Sequence, residues 1–137
     1  MFSDALMRLL LAVGLVLLGV AVYQVLNQLI LFKNRNQSSH LDHFQSGRPA
    51  ILYFTTPDCA PCKTIQRPAI NKVETSFGDR LQIIEVNAYD QPDLARTWGV
   101  LSVPTTFILD SRGQPQHVNH GVTPANKLME QLKQLVK

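Results

Sequence analysis

Cysteine is scarce in this chain: only Cys59 and Cys62 occur in 137 residues. Two are too few for a disulfide-stapled scaffold, so their chemistry is read before any structural role. Basic runs are missing as well. There is no arginine-rich block and no basic-aromatic interleaving, which argues against nucleic acid as a partner. No internal repeat and no low-complexity segment occurs, leaving room for one modest domain of about 100 residues plus an appendage. Charge is nearly absent from the first 32 residues, where Asp4 and Arg8 stand alone; beyond them 12 Lys and Arg are mixed with 9 Asp and Glu. The remainder therefore has a mildly basic soluble surface.

What the first 32 residues do have is apolar length. Residues 9–22 are unbroken by any polar side chain, and the apolar character continues more weakly to Phe32, interrupted by Tyr23, Gln24, Asn27 and Gln28. As a helix, residues 9–31 are about 34 Å long at ~1.5 Å per residue, enough to cross a bilayer once. The competing reading is a signal peptide cut after Gly19-Val20-Ala21, although one basic residue precedes the apolar core and another apolar turn and a half follows the cut. The expected organisation is a membrane anchor or signal peptide over 1–32, a linker over 33–38 and a domain over 39–137. Lys33 and Arg35 after the span against Arg8 before it lean toward a cytoplasmic domain by a margin of one residue.

In the domain, Ser39 is placed to cap a brief helix over 40–45, ended by Gly47. Residues 50–54 form a near-continuous apolar run, the signature of a strand buried on both faces. Residues 60–77 have helical periodicity, with Ile65, Ala69, Ile70, Val73 and Phe77 on one face and a kink expected at Pro68. A second strand is expected over 81–86, then a helix capped by Asp90, with Pro92 in its first turn and Gly99 past its end. Strands over 105–109 and 114–118 flank the turn Asp110-Ser111-Arg112-Gly113, and Thr123-Pro124 opens a closing helix with Leu128, Leu132 and Leu135 on its apolar face. Strands separated by helices pair in parallel, and a strand-turn-strand pairs antiparallel. The fold class is therefore α/β, a mixed central sheet with helices on both faces, preceded by a transmembrane helix.

Cys59-Ala60-Pro61-Cys62 falls between the first strand and the first helix of the domain. A thiol there meets free backbone N–H groups and the positive end of the helix dipole, which stabilise a thiolate. Cys62 returns to the same face one turn later, so the pair can close into a disulfide or open into a dithiol with little backbone movement. A structural disulfide closing so short a loop would constrain little of the unfolded chain. Zinc is the other alternative: His40 and His43, or His117 and His120, have the spacing to complete a Cys2His2 site, but nothing makes either pair converge on the cysteines.

These features together resemble the thioredoxin family. The resemblance rests on Ile51-Leu52-Tyr53-Phe54, Cys59-Ala60-Pro61-Cys62-Lys63 opening a helix, Trp98-Gly99-Val100, Val103-Pro104-Thr105 before a strand, and Gly121 ahead of the last helix; it covers residues 39–136. It implies a thioredoxin-like sheet and a redox disulfide between Cys59 and Cys62, acting on protein thiols and disulfides without metal or organic cofactor. Cys59 would be the exposed nucleophile and Cys62 the resolver of the mixed disulfide. Pro104 would be a cis proline, leaving the Val103 backbone to pair with an extended substrate beside Pro61 and the sulfurs, with Gly121 nearby. The resemblance also favours an extracytoplasmic domain held by the N-terminal helix. Nothing in the chain indicates an oligomeric state. A different class of function, a thioredoxin-fold module that grips a client or metal without turnover, uses the same motif.

Four departures from the family stand out. Asp58 occupies the usual tryptophan position, and an anion there should oppose the Cys59 thiolate. Tyr53 replaces the buried aspartate that assists the second cysteine. Glu85 stands where lysine is usual, and is the carboxylate expected to accept the Cys62 proton in its place. Pro68 also lies one residue later than the usual helix proline.

Overall fold

The computed structural model describes residues 2–33 and 41–136. By its internal contacts the chain divides into two units, Met1–Ile30 and Leu31–Lys137. The first is dominated by helix α1 (Phe2–Lys33), whose apolar side chains, Leu15 and Leu18 among them, are exposed. It is long and apolar enough to cross a membrane, and a signal sequence meets the same description. Most of the expected linker, Ser39 and His40 lie outside the described residues.

The second unit is built on strands β1 (Ala50–Thr55), β2 (Gln82–Asn87), β3 (Thr105–Leu109) and β4 (Pro115–His120), in the order β2-β1-β3-β4. β1 pairs with β2 in parallel and with β3 antiparallel, and β3 pairs antiparallel with β4. The mixed sheet is as expected. β1 and β3 are buried at every position, because both sit inside the sheet and both faces are covered. The hairpin turn is organised by Asp110, whose Oδ1 accepts the backbone N–H groups of Arg112 and Gln114, each at 2.9 Å.

Side chains alternate across the sheet, so Ile51, Tyr53 and Ile108 face one way and Leu52, Phe54 and Phe107 the other. The first face packs on α2 (Arg67–Phe77) and α4 (Ala125–Lys133) through Ile70, Val73, Leu128 and Leu132. Each such buried aliphatic side chain contributes about 1.5–3 kcal/mol of transfer free energy. The second face meets Trp98, just past α3 (Pro92–Thr97), whose ring lies edge-on to Phe107 at 4.9 Å.

Several local expectations are corrected. Residues 41–45 form a turn rather than a helix, and His43 takes φ 72°, a left-handed conformation that a helix cannot contain. The residue at the cap of α3 is Gln91, not Asp90, because a turn closed by Gln91 N–H on the Asn87 carbonyl occupies that stretch. The last strand begins one residue later and ends two residues later than the 114–118 expected after the turn.

The Pro68 kink takes a specific form. Pro68 has no N–H for the Thr64 carbonyl, and just before it Cys62–Gln66 forms a π-turn in which Arg67 N–H donates to the Cys62 carbonyl. The inserted residue rotates the helix face. Ile65, expected on the apolar face, is exposed, and Gln66 is buried instead. Its amide is matched to the backbone of Thr123: Nε2 donates to the carbonyl at 3.1 Å and Oε1 accepts the N–H at 2.8 Å.

Candidate functional site

The CxxC turn follows directly from the end of β1. Cys59 N–H donates to the Thr56 carbonyl, and the chain enters the helix at Ala60. Cys59 and Cys62 are joined as a disulfide with their Cα atoms 5.3 Å apart. The two sulfurs have different surroundings. Cys59 is half-buried and its Sγ accepts the Cys62 backbone N–H at 3.2 Å, whereas the Cys62 side chain belongs to the core with Tyr53, Ile70 and Val73. A helix-start N–H aimed at Sγ is the contact that stabilises a thiolate once the pair is reduced. The geometry therefore separates an accessible sulfur from a covered one.

Cys59 opens onto a groove of about 610 Å³, lined on the other side by Val100, Leu101, Ser102 and Val103. The Val103-Pro104 peptide is cis. Pro104 is buried and its carbonyl accepts Gly121 N–H at 2.9 Å, where Gly121 holds φ 79°. Of the residues expected to meet substrate, Pro61 and Val103 line the groove with Cys59; Pro104 follows Val103 directly and is tied to Gly121 by that carbonyl contact.

Asp58 also lines the groove. Its carboxylate accepts the Tyr89 hydroxyl at 2.9 Å and is held below the usual carboxylate range, first by the Thr56 hydroxyl and then by Tyr89. The same contact, seen from the phenol, raises Tyr89. Tyr89 and the nearly fully exposed Leu101 were not among the sequence candidates. Leu101 had a usable signal, an apolar residue bounded by Gly99 and Pro104 in a loop; Tyr89 had none.

Beneath the motif, Tyr53 is buried and its hydroxyl donates to the Cys62 carbonyl at 3.1 Å. Desolvation pushes the phenol above its ordinary value. Glu85 is the register partner of Tyr53 across β1 and β2 and so shares its face of the sheet. Its carboxylate is exposed and engaged by Arg67 at the start of α2. His117 and His120 stand three apart on edge strand β4, which turns them to opposite faces. The described residues contain no cluster with metal-ligand character.

A family model described as Thioredoxin matches residues 28–134. Thioredoxin Y, chloroplastic, of Oryza sativa subsp. japonica is 28% identical over 89 residues, which is 65% of this chain and 52% of that protein. The chain thus spans about half the length of that relative. Thioredoxin of Bacillus subtilis (strain 168) is 31% identical over 77 residues, 56% of this chain and 72% of that protein. Among solved structures, an uncharacterised thioredoxin-like protein from Clostridium perfringens is similar with a TM-score of 0.58 at 26% identity, covering 66% of this chain and 73% of that one.

Proposed function

The chain belongs to the thioredoxin family, and from that membership we propose that it exchanges disulfides with protein substrates through Cys59 and Cys62. The observation that carries the reading is the asymmetry of the pair: one sulfur faces a groove and receives a helix-start N–H, while the other is covered.

In the reductive direction, the Cys59 thiolate attacks one sulfur of a substrate disulfide, and the other substrate sulfur leaves as a thiolate. Cys62, deprotonated, then attacks the Cys59 sulfur of the mixed disulfide. The substrate's remaining sulfur leaves as a thiolate, so two electrons have passed to the substrate and the protein holds the Cys59–Cys62 disulfide. The oxidative direction is the reverse. Pro61, Val103, Pro104 and Gly121 are the substrate-facing residues in this scheme.

The proton leaving Cys62 needs an acceptor, and Glu85 is the carboxylate assigned to it. Support comes from its register with Tyr53, whose hydroxyl touches the Cys62 main chain. Because Arg67 engages Glu85, acceptance requires that ion pair to open or a water to relay the proton. Glu85→Gln is expected to slow mixed-disulfide resolution; unchanged resolution kinetics would remove Glu85 from the mechanism.

Helix α1 is assigned as a single-pass anchor, with the redox domain on the extracytoplasmic side, where protein thiols are oxidised and need sorting. Insulin reduction by the full-length chain in detergent tests the activity. Turnover that disappears in Cys59→Ser supports the reading. No turnover, with stoichiometric metal on the cysteines, identifies a binding module instead.

A further inference from the structure

The groove beside Cys59 carries a charge pattern that thiol exchange alone does not require. Among the described residues that line it, Asp58 is the only charged one; Ala60, Ala88, Ala95, Val100, Leu101 and Val103 make it otherwise largely apolar. Asp58 comes from the CxxC turn and Tyr89 from the segment after β2, so their 2.9 Å hydrogen bond joins two walls of the groove and fixes the carboxylate next to the nucleophile. Lys63 exerts a weaker attraction on Asp58, the smallest of the influences on that carboxylate, and does not line the groove. Leu101, 92% exposed, supplies an apolar contact on the facing wall.

An anion beside the nucleophile works against a thiolate in the free protein. That opposition is relieved when a cation is brought to the same place, and the ligand entering the groove is the substrate segment. We propose that Asp58, positioned by Tyr89, is a cation-accepting subsite that selects extended protein segments carrying Lys or Arg next to the reactive cysteine, with an apolar side chain toward Leu101. The subsite rests on the exchange reaction proposed above and specifies its substrate class. The substrate cation and Asp58 pair as the sulfurs approach, so selection acts on the rate of attack by Cys59. Asp58 is a specificity-determining residue in this scheme and takes no part in bond making.

The test uses reduced full-length protein in detergent and three disulfide-bonded peptides that differ only beside the cysteine, as Lys, Ala or Glu. Bis(2-hydroxyethyl) disulfide serves as an uncharged control. Second-order rate constants for thiol release are measured, and ratios between peptides cancel any general change in Cys59 reactivity. The Lys peptide is expected to react roughly tenfold faster than the Glu peptide at low salt, the combined effect of one exposed attraction and one repulsion. The ratio should fall to within about twofold in Asp58→Asn, or for the unaltered protein at ~1 M salt. Asp58→Glu should retain part of it, and Tyr89→Phe should lose part of it. Reaction of all three peptides at equal rates, or an equal Lys preference in Asp58→Asn, overturns the subsite while leaving exchange intact. If neither the peptides nor the uncharged disulfide react, the exchange reading fails and the subsite falls with it.

Discussion

The buried hydroxyl of Tyr53 donates to the main-chain carbonyl of Cys62, 3.1 Å away. That carbonyl also accepts Arg67 N–H across the π-turn. The core therefore supports the second cysteine through its backbone at a place where the family resemblance implies a carboxylate. Tyr53→Phe keeps the ring and leaves the carbonyl one partner, so its expected cost is modest, about 1 kcal/mol in denaturant unfolding near neutral pH.

The same residue predicts an alkaline limb. Burial raises the Tyr53 phenol above its ordinary value in the folded state. The folded chain then binds the proton more tightly than the unfolded chain, so this contribution is fully present below the unfolded value near ~10. It is lost as pH rises from there through the raised folded value. Unfolding free energy measured across that window should fall with pH in the unaltered protein and fall less in Tyr53→Phe.

Gln66 is a test of the π-turn. Its amide satisfies both the N–H and the carbonyl of Thr123, just ahead of α4. Gln66→Ala leaves two buried backbone groups without that partner and is expected to destabilise by about 2–4 kcal/mol. A loss below about 1 kcal/mol in urea unfolding would show that the amide does not hold the loop.

How far the chain could be read in advance depends on the range over which each feature is determined. β1 and β3 were legible because strands covered on both faces write themselves as local apolar runs, and the CxxC announced itself by spacing. The π-turn was not. Pro68 signalled a disruption, but the periodicity of residues 60–77 could not show that one inserted residue would bury Gln66 and expose Ile65. Glu85 was legible as a departure from the family, while its engagement by Arg67 depends on how α2 is laid over β2. Asp58 and Tyr89 are 31 residues apart and meet only through the sheet. The short helix assigned to 40–45 failed because capping and polar residues also describe a turn.

Asp58 should also be visible in the reactivity of the nucleophile. It stays ionised at neutral pH, since the Thr56 and Tyr89 hydroxyls hold it below the usual carboxylate range. Asp58→Asn removes that anion, so Cys59 in the reduced protein should be alkylated by iodoacetamide at lower pH than in the unaltered chain. Identical pH profiles would show that solvent screens the charge completely.

For α1, the anchor assignment predicts a full-length polypeptide in membranes that resists carbonate extraction. Leu15→Arg combined with Leu18→Arg places two charges near the middle of the span, each costing about 2.5–3.5 kcal/mol, and should abolish stable insertion. An intact mass lacking the first 21 residues would identify a cleaved signal peptide instead.

In the proposed exchange Cys59 attacks and Cys62 resolves, and trapping with Cys62→Ser separates the two roles. The full-length variant, reduced and then offered a disulfide-bonded protein substrate, is expected to stop at a mixed disulfide that peptide mapping places on Cys59 and that reductant releases. Cys59→Ser should form no such adduct under the same conditions. Absence of any covalent adduct in Cys62→Ser, or equal trapping through Cys62 in Cys59→Ser, would contradict the assignment.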